Sequence, residues 1–591
     1  MCGIIGFVGK EPAAPIILKG LKNLEYRGYD SAGMATIADG RLWHAKDTGK
    51  LNEVRQKCHL DKLPGTMGIG HVRWATHGRV TAANAHPLLD CKEEIAVVHN
   101  GVIENYSELR AELGPQHSFV SQTDSEVVPH LIEEYMEAGA SLEEAVVRVS
   151  RRLKGSNALL AISVRDPGKI VAARRESPVV VGVGEEGGFI ASDALAFSEY
   201  TNTVAFVEDG ETVVLAGDVS FLDETGRRID KDFTEIDWKW DQATKQGHDY
   251  FMMKEICEAP AAIRCALVQD EKLIMETAMD ILRAKQVVIT ACGTSRYAAL
   301  VGRYLFSKLG GKLCEVVMAS EFHYFSDSID KNTLVIAISQ SGETADVIHG
   351  VKKARGNGAT ILSLVNVVGS SLTRMSDRVI YLNCGPEIGV AATKSFMGQL
   401  TVLYLLAFAM ANRMQEGLEK MRDGLCPEIE DVLNRNGMKL KALAERTKDR
   451  NDFYYIARGI NFAIAAEGAL KLKEISYIHA EGMPSGELKH GTLALIEEGT
   501  PVVVICPRDY TFEETLANAV EAKTRGAFVI GVSGESHPIF DEWIEIHNSA
   551  EEIFYPLATV VPLQLLAYHL AVARGHDPDK PRNLAKSVTV K

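Results

Sequence analysis

No two of the ten cysteines are spaced C-x-x-C, which excludes both a disulfide-stapled scaffold and a cysteine-paired zinc module. Long apolar runs are also scarce. The best one read from the sequence, 401–411, falls short of the ~18 residues that a membrane span needs, so no membrane partner is expected. The start, MCGIIGFVGKEP, has no basic region ahead of an apolar stretch, so a secretory leader is not expected and a cytoplasmic location is. Positive charge is in deficit, with 64 Lys+Arg against 79 Asp+Glu and a net charge of -15. Such a chain repels a polyanion at long range, which argues against nucleic acid as a partner while leaving room for local phosphate pockets. What remains is ordinary globular material: 46% hydrophobic residues in a chain of 591, enough for about four domains at ~150 residues each.

Residues 2–235 carry short β-like runs, at 3–8, 33–38, 68–72, 95–98, 158–164, 179–183, 204–207 and 212–216, with helical patterns at 13–24 and 125–138. Clustered strands with few helices suggest a layered α+β domain with mostly antiparallel sheets. A polar stretch over 236–250 reads as a linker. Beyond it, continuous apolar strands alternate with helices (QVVITA, TLVIAI, then 360–365), the pattern of a parallel sheet covered on both faces. The order then recurs at 453–457, 501–505 and 527–532. Ala291 and Ala337 lie 46 residues apart, Ala457 and Val504 47 apart, which predicts two tandem doubly wound α/β units, 251–420 and 421–575, before a tail of 576–591. The formal dinucleotide fingerprint Gly182-x-Gly184-x-x-Gly187 is read as a hairpin, because no helix pattern follows and Glu185 and Glu186 would repel a pyrophosphate.

Cys2 follows only the initiator Met, and a small second residue permits removal of that Met. A first-residue cysteine carries its own base: an α-amine of pKa about 8 can take the proton of its thiol, directly or through a water. Alone, Cys2 would read as a small buried hydrophobe. Its company changes that. MCGIIGF, Tyr26-Arg27-Gly28-Tyr29-Asp30-Ser31-Ala32-Gly33, Gly70-His71-Val72-Arg73-Trp74-Ala75-Thr76-His77-Gly78, Asn84-x-His86-Pro87, His99-Asn100-Gly101 and Ser121-x-Thr123-Asp124-Ser125-Glu126 occur in that order. Together they closely resemble the class II, N-terminal-nucleophile glutamine amidotransferase domain. The resemblance implies an oxyanion hole from the Asn100 side chain and the Gly101 amide. It also implies a bidentate carboxylate clamp at Arg73, an ammonium partner at Asp124, and closing loops that carry Trp74, Thr76, His77 and His86. For the two histidines, a structural hydrogen bond and a direct catalytic role both stay open.

In the second half, Ser339-Gln340-Ser341-Gly342-Glu343-Thr344 stands between an apolar strand and a helical run. Hydroxyls and an amide facing a helix N-terminus suit the oxygens of one phosphate group. Ala291-Cys292-Gly293-Thr294-Ser295 is a second such turn, suited to sugar hydroxyls. Any one Ser-rich turn is more often a plain cap; two at corresponding strand ends of one sheet favour a phosphosugar pocket. The pair resembles the sugar isomerase (SIS) domain, in both tandem copies. The second copy has Cys506-Pro507-Arg508 in place of the phosphate turn, but places Glu467, Lys471 and Glu474 on one helical face, a spacing that usually marks a solvated salt-bridge surface. His479-x-Glu481 is half a zinc deaminase signature without its cysteines, so no metal is expected there.

Taken with His490 and the tail Pro581-Arg582-Asn583-Leu584-Ala585-Lys586, the chain resembles the isomerizing glutamine:fructose-6-phosphate amidotransferases over its whole length. The fold so implied is an α+β N-terminal-nucleophile amidohydrolase sandwich followed by two tandem doubly wound α/β SIS subdomains. The resemblance implies a Schiff base at Lys586, ring opening by His490, proton transfer between C1 and C2 by Glu474 with Lys471 in support, and contacts from Val390 and Ala585. With these go L-glutamine and D-fructose 6-phosphate as substrates, no cofactor or metal, internal passage of ammonia past Trp74, and a homodimer. Ala392 departs from the family, which commonly has a serine there. Rival amidotransferases would need a V-V-D-D-S-type phosphoribosyl loop or a Ser-Gly-Gly-x-Asp-Ser ATP loop, and neither is found. A non-catalytic SIS regulator would leave the nucleophile domain unexplained.

Overall fold

The computed structural model describes residues 2–236, 245–546 and 551–589; the centre of the expected linker, 237–244, lies outside them. Two compact units result. One comprises the chain up to 236 together with 585–589, the other the described residues of 245–584.

The first unit stacks two largely antiparallel sheets. One runs Thr234–Glu235, Thr203–Phe206, Val180–Gly184, Gly187–Ala191, Gly3–Gly9, Met67–Arg73, Ser31–Ala38, Arg41–Thr48. The other runs Arg228–Ile229, Val219–Leu222, Thr212–Leu215, Ile170–Arg175, Asn157–Ser163, Ile95–Gly101, Leu88–Leu89. Alternation along the first strand explains the layering: Ile4 joins the core between the sheets, with Ile69, Val98 and Leu160, while Ile5 and Phe7 face the Ala13–Leu24 helix. The second sheet is covered by Tyr106–Leu113, Val127–Glu137 and Leu142–Arg152, giving four layers, α/β/β/α. Only two helices were expected here, whereas the described residues hold five, Leu51–Cys58 being the other. Leu142–Arg152 escapes a period count because Val146, Val147 and Val149 suit a strand equally well; its Ser141–Glu144 capping box decides for helix. The glycine-rich decoy is indeed a hairpin, Val180–Gly184 paired with Gly187–Ala191.

In the second unit both five-stranded sheets are parallel and share one order, 2-1-3-4-5. The first runs Glu315–Met318, Gln286–Ala291, Thr333–Ser339, Thr360–Val365, Arg378–Tyr381, and the second His479–Pro484, Asp452–Ala457, Pro501–Ile505, Phe528–Ser533, Glu542–Glu545. In such a sheet the crevice lies where strand order reverses, between the first and third strands. The turns at 292–295 and 339–344 occupy that position.

One expectation needs correcting. The helix Tyr555–Ala573 lies in a stretch, Glu552–Ala573, that is long and apolar enough to span a membrane, with a mean hydropathy of 1.5. The sequence run is disguised by Pro556 and Pro562 and by interspersed Thr559, Gln564 and His569. In the fold 83% of its apolar window is buried, against Cys426–Thr447 and Asn461–Ser476, so it serves as a core helix of this unit.

Candidate active site

In the first unit Cys2 sits beside the end of the strand Met67–Arg73. Its Sγ accepts from the Trp74 amide at 3.3 Å and lies 3.3 Å from the Trp74 carbonyl. Burial pushes the thiol above its ordinary range, opposed by the Trp74 amide and the Arg73 guanidinium. Asn100 Nδ2 donates to the Cys2 carbonyl at 3.1 Å. Asn100 and Gly101 end the strand Ile95–Gly101, where His99 is fixed by Ser125 Oγ at 2.8 Å and Asn157 Oδ1 at 2.9 Å. Gly101 has φ 129°, and a Cβ there would lie 1.8 Å from the Ser156 carbonyl oxygen, so only glycine fits.

Arg73 is buried and donates to the carbonyls of His77 and, at 3.4 Å, Arg79, which ties the strand end to the loop that follows. Asp124, also buried, accepts from the Ile103 amide at 2.6 Å. Trp74 is half-buried, edge-on to Tyr29, whereas Thr76 is exposed. The His77 ring packs edge-on against Tyr106. Burial pushes His86 well below the ordinary imidazole range and His71, whose ring lies 4.3 Å away, down to about 3. Both rings are therefore neutral at physiological pH, which favours the structural reading of His86. Lys46 pins the His86 loop through the carbonyls of Ala85 at 2.7 Å and Pro87 at 2.8 Å.

In the second unit the turn after Thr333–Ser339 is self-bonded. Ser339 Oγ meets Thr344 Oγ1 at 3.0 Å and accepts from the Gly342 amide at 3.0 Å, while Ser341 Oγ accepts from the Glu343 amide at 3.2 Å. Gly342 has φ 65°, and a Cβ there would come within 2.0 Å of Ser370 Oγ. Gln340 is half-buried at the mouth of the turn, and its carbonyl accepts from Asn366 at 3.0 Å. Ser339 and Thr344 flank the start of the Ala345–Gly356 helix, whose amides favour an anion there. Ser295, at the other turn, accepts from Gln399 at 2.9 Å.

Thr294 donates to Glu467 at 3.2 Å, which links the first copy's 291–295 turn to the helix Asn461–Ser476 of the second copy. The supposed solvated face is therefore buried. Glu467 and Lys471 are fully buried, and Lys471 Nζ bonds Glu474, whose side chain is 21% exposed, while lying 3.7 Å from Glu467. Burial pushes Glu467 up to about 8, so it is protonated at neutral pH. For Lys471 burial acts downward but Glu474 and Glu467 outweigh it, and the ammonium is held above its ordinary range. The cluster thus resolves into a neutral acid beside one ion pair, the arrangement a buried triad needs.

Val390 is buried and donates to the Asp579 carbonyl at 3.1 Å. Its loop hangs on carboxylates with no local sequence signature: Glu255 accepts from Ile388 at 2.6 Å, and Glu387 from Thr393 at 2.9 Å and Ser395 at 3.0 Å. Lys394 pairs with Glu258 at 2.8 Å and is structural. His490 ends the turn Ser485–His490, exposed and without a hydrogen-bond partner among the described residues. Ala585 and Lys586 are half-buried and group with the first unit. Within the second unit the hydrogen bonds and ion pairs of this cluster join Thr294, Glu467, Lys471 and Glu474.

A glutamine amidotransferase domain model matches residues 71–199, and a SIS domain model matches 280–409 and 448–574. Two curated relatives named glutamine--fructose-6-phosphate aminotransferase [isomerizing], from Methanothermobacter thermautotrophicus and Thermococcus kodakarensis, are each 48% identical over all of both chains. The chain belongs to the isomerizing glutamine–fructose-6-phosphate aminotransferase family. Among solved structures, the C-terminal domain of glucosamine-fructose-6-phosphate aminotransferase from Francisella tularensis matches with a TM-score of 0.54 and 32% identity, covering 57% of this chain and 100% of that one. The tagatose-6-phosphate ketose/aldose isomerase of Escherichia coli, at 19% identity and a TM-score of 0.50 over 56% of this chain and 96% of that one, shares the fold. The aminotransferase family thus accounts for a nucleophile domain joined to a doubled sugar-isomerase unit.

Proposed function

We infer that the chain transfers the amide nitrogen of L-glutamine to D-fructose 6-phosphate and isomerises the product to D-glucosamine 6-phosphate. The observation that carries this reading is the buried Lys471–Glu474 pair on a helix bonded, through Glu467, to Thr294 at the sugar turn. A carboxylate paired with a buried ammonium, on a helix bonded to the turn at Thr294, is the equipment of ketose–aldose proton transfer.

The division of labour follows. Cys2 sulfur attacks the glutamine amide carbon, the oxyanion is held by Asn100 and the Gly101 amide, and ammonia leaves; water then cleaves the thioester to glutamate. Arg73 takes the α-carboxylate, Asp124 the α-ammonium, and Trp74, Thr76 and His77 close over the amino acid. At the acceptor, Ser339, Gln340, Ser341 and Thr344 hold the phosphate, and Thr294, Ser295, Val390 and Ala585 hold the sugar. His490 opens the ring. The Lys586 amine adds to the C2 carbonyl with loss of water, and ammonia then displaces it to leave the C2 imine. Glu474 takes a proton from C1 and returns it to C2, while the C1 hydroxyl gives up its proton to become the aldehyde and the imine nitrogen gains one to become the amine. Ammonia passes internally between the two sites. The proposed division of the chain is 2–235, 236–250, 251–420, 421–575 and 576–591, in a cytoplasmic homodimer, on family resemblance.

Borohydride reduction in the presence of fructose 6-phosphate alone tests the covalent step. The expected result is a sugar adduct on a single tryptic peptide containing Lys586, absent in Lys586→Ala. An adduct on another lysine, or none, overturns the role.

A further inference from the structure

Three segments of the first unit converge away from Cys2. Cys91 lies in the turn between Leu88–Leu89 and Ile95–Gly101, His117 in the loop after Tyr106–Leu113, and His130 and Glu133 on the helix Val127–Glu137. One ligand atom from each lies within 4.8 Å of all the others. Cys91 Sγ is 3.5 Å from His117 Nδ1 and 3.5 Å from His130 Nδ1; Glu133 Oε2 is 3.3 Å from His117 Nδ1 and 3.4 Å from His130 Nδ1. A tetrahedral zinc with bonds of about 2.0–2.3 Å sets its ligand atoms about 3.3–3.6 Å apart. All four of these separations fall in that interval.

Protons or one central cation can hold these four groups together. Each imidazole Nδ1 carries either a hydrogen or a lone pair, yet each faces both a carboxylate oxygen and a thiol sulfur. With both Nδ1 atoms protonated, Glu133 accepts from each and the sulfur is left a weak acceptor to both. A central cation that takes one lone pair from each atom resolves all four contacts.

The outer contacts suit that cation too. His117 Nε2 lies 3.4 Å from Glu134 Oε1, a carboxylate orienting the far side of a ligating imidazole. The Ser118 amide donates to Cys91 Sγ at 3.5 Å, which fixes the sulfur's position from outside the cluster. The side chains of His117, His130 and Glu133 are 7%, 1% and 4% exposed, and Cys91 is exposed, leaving a path for entry.

We propose that Cys91, His117, His130 and Glu133 form a structural zinc site. One thiolate, two imidazoles and one carboxylate at tetrahedral spacing select Zn²⁺ over the harder Mg²⁺ and Ca²⁺. Four protein ligands leave no open position, so the ion acts as a staple. It fastens the loop of 114–123 to the Val127–Glu137 helix and the turn at Cys91, just ahead of Asp124. Cysteine spacing could not reveal it, because the ligands are separated by 26, 13 and 3 residues and the set has a single cysteine.

Metal analysis of the full-length protein, dialysed after incubation with zinc salt, tests the proposal. The expected stoichiometry is close to one zinc per chain, falling at least tenfold in Cys91→Ser and in His117→Ala, the latter retained in case the former does not fold. Cobalt loading should give intense tetrahedral d–d bands and a thiolate charge-transfer band that Cys91→Ser loses. A strong chelator should lower the melting temperature of the parent protein by several degrees and leave that of His117→Ala unmoved. Zinc far below one equivalent, or zinc that persists undiminished in both variants, overturns the assignment.

Discussion

Cys2→Ala should abolish amino-sugar formation from glutamine, a fall of ~10⁴-fold or more, because it removes the sulfur that forms the thioester. The thiol is held at the Trp74 backbone, and Asn100 already reaches the Cys2 carbonyl, so the substitution removes the nucleophile while leaving its surroundings in place. Thermal unfolding should be nearly unchanged. Added ammonium should not restore the parent rate, since internally delivered ammonia escapes protonation in water. Product assays with glutamine and with ammonium chloride check both statements; glutaminase activity surviving in the variant would contradict the assignment.

Lys471→Met should destabilise the protein by about 3–5 kcal/mol, the cost of leaving one member of a buried pair uncompensated, and should remove isomerisation with it. Urea denaturation gives the first quantity and ketose-to-aldose conversion the second. Glu467→Gln separates electrostatics from packing. Glu467 titrates at about 8 in the fold against an ordinary carboxyl near 4.3 when unfolded. The folded state thus binds the extra proton between those values, and stability falls as pH rises through that window. The glutamine variant should match the parent at low pH and lose less stability on approaching pH 8. A steeper loss in the variant would reverse the sign and refute a protonated Glu467.

Much of the fold was legible because its strands are buried on both faces. QVVITA and TLVIAI stand out as uninterrupted apolar runs, and their repeat at constant spacing exposes the duplication before any contact is known. Helices were harder. Val-rich Leu142–Arg152 fits two periods, and Tyr555–Ala573 hides its apolar length behind two prolines. At the site, residues in compact motifs such as Asn100-Gly101 and the 339–344 turn could be picked out by their type and order. The carboxylates Glu255 and Glu387 could not, since each acts on backbone amides that only the folded chain brings to it. The face of Glu467, Lys471 and Glu474 was visible as a spacing, but its burial is a property of the tertiary structure alone. Cys91 and His117 belong with those invisible residues: nothing local distinguishes them.

The central claim is that nitrogen released at Cys2 reaches C2 of the ketose without mixing with solvent. Turnover of amide-¹⁵N glutamine with fructose 6-phosphate, in a large excess of unlabelled ammonium, measures this by mass spectrometry of the amino sugar. The account predicts product carrying the label undiluted. Product whose label falls to the isotopic composition of the ammonium pool would contradict it.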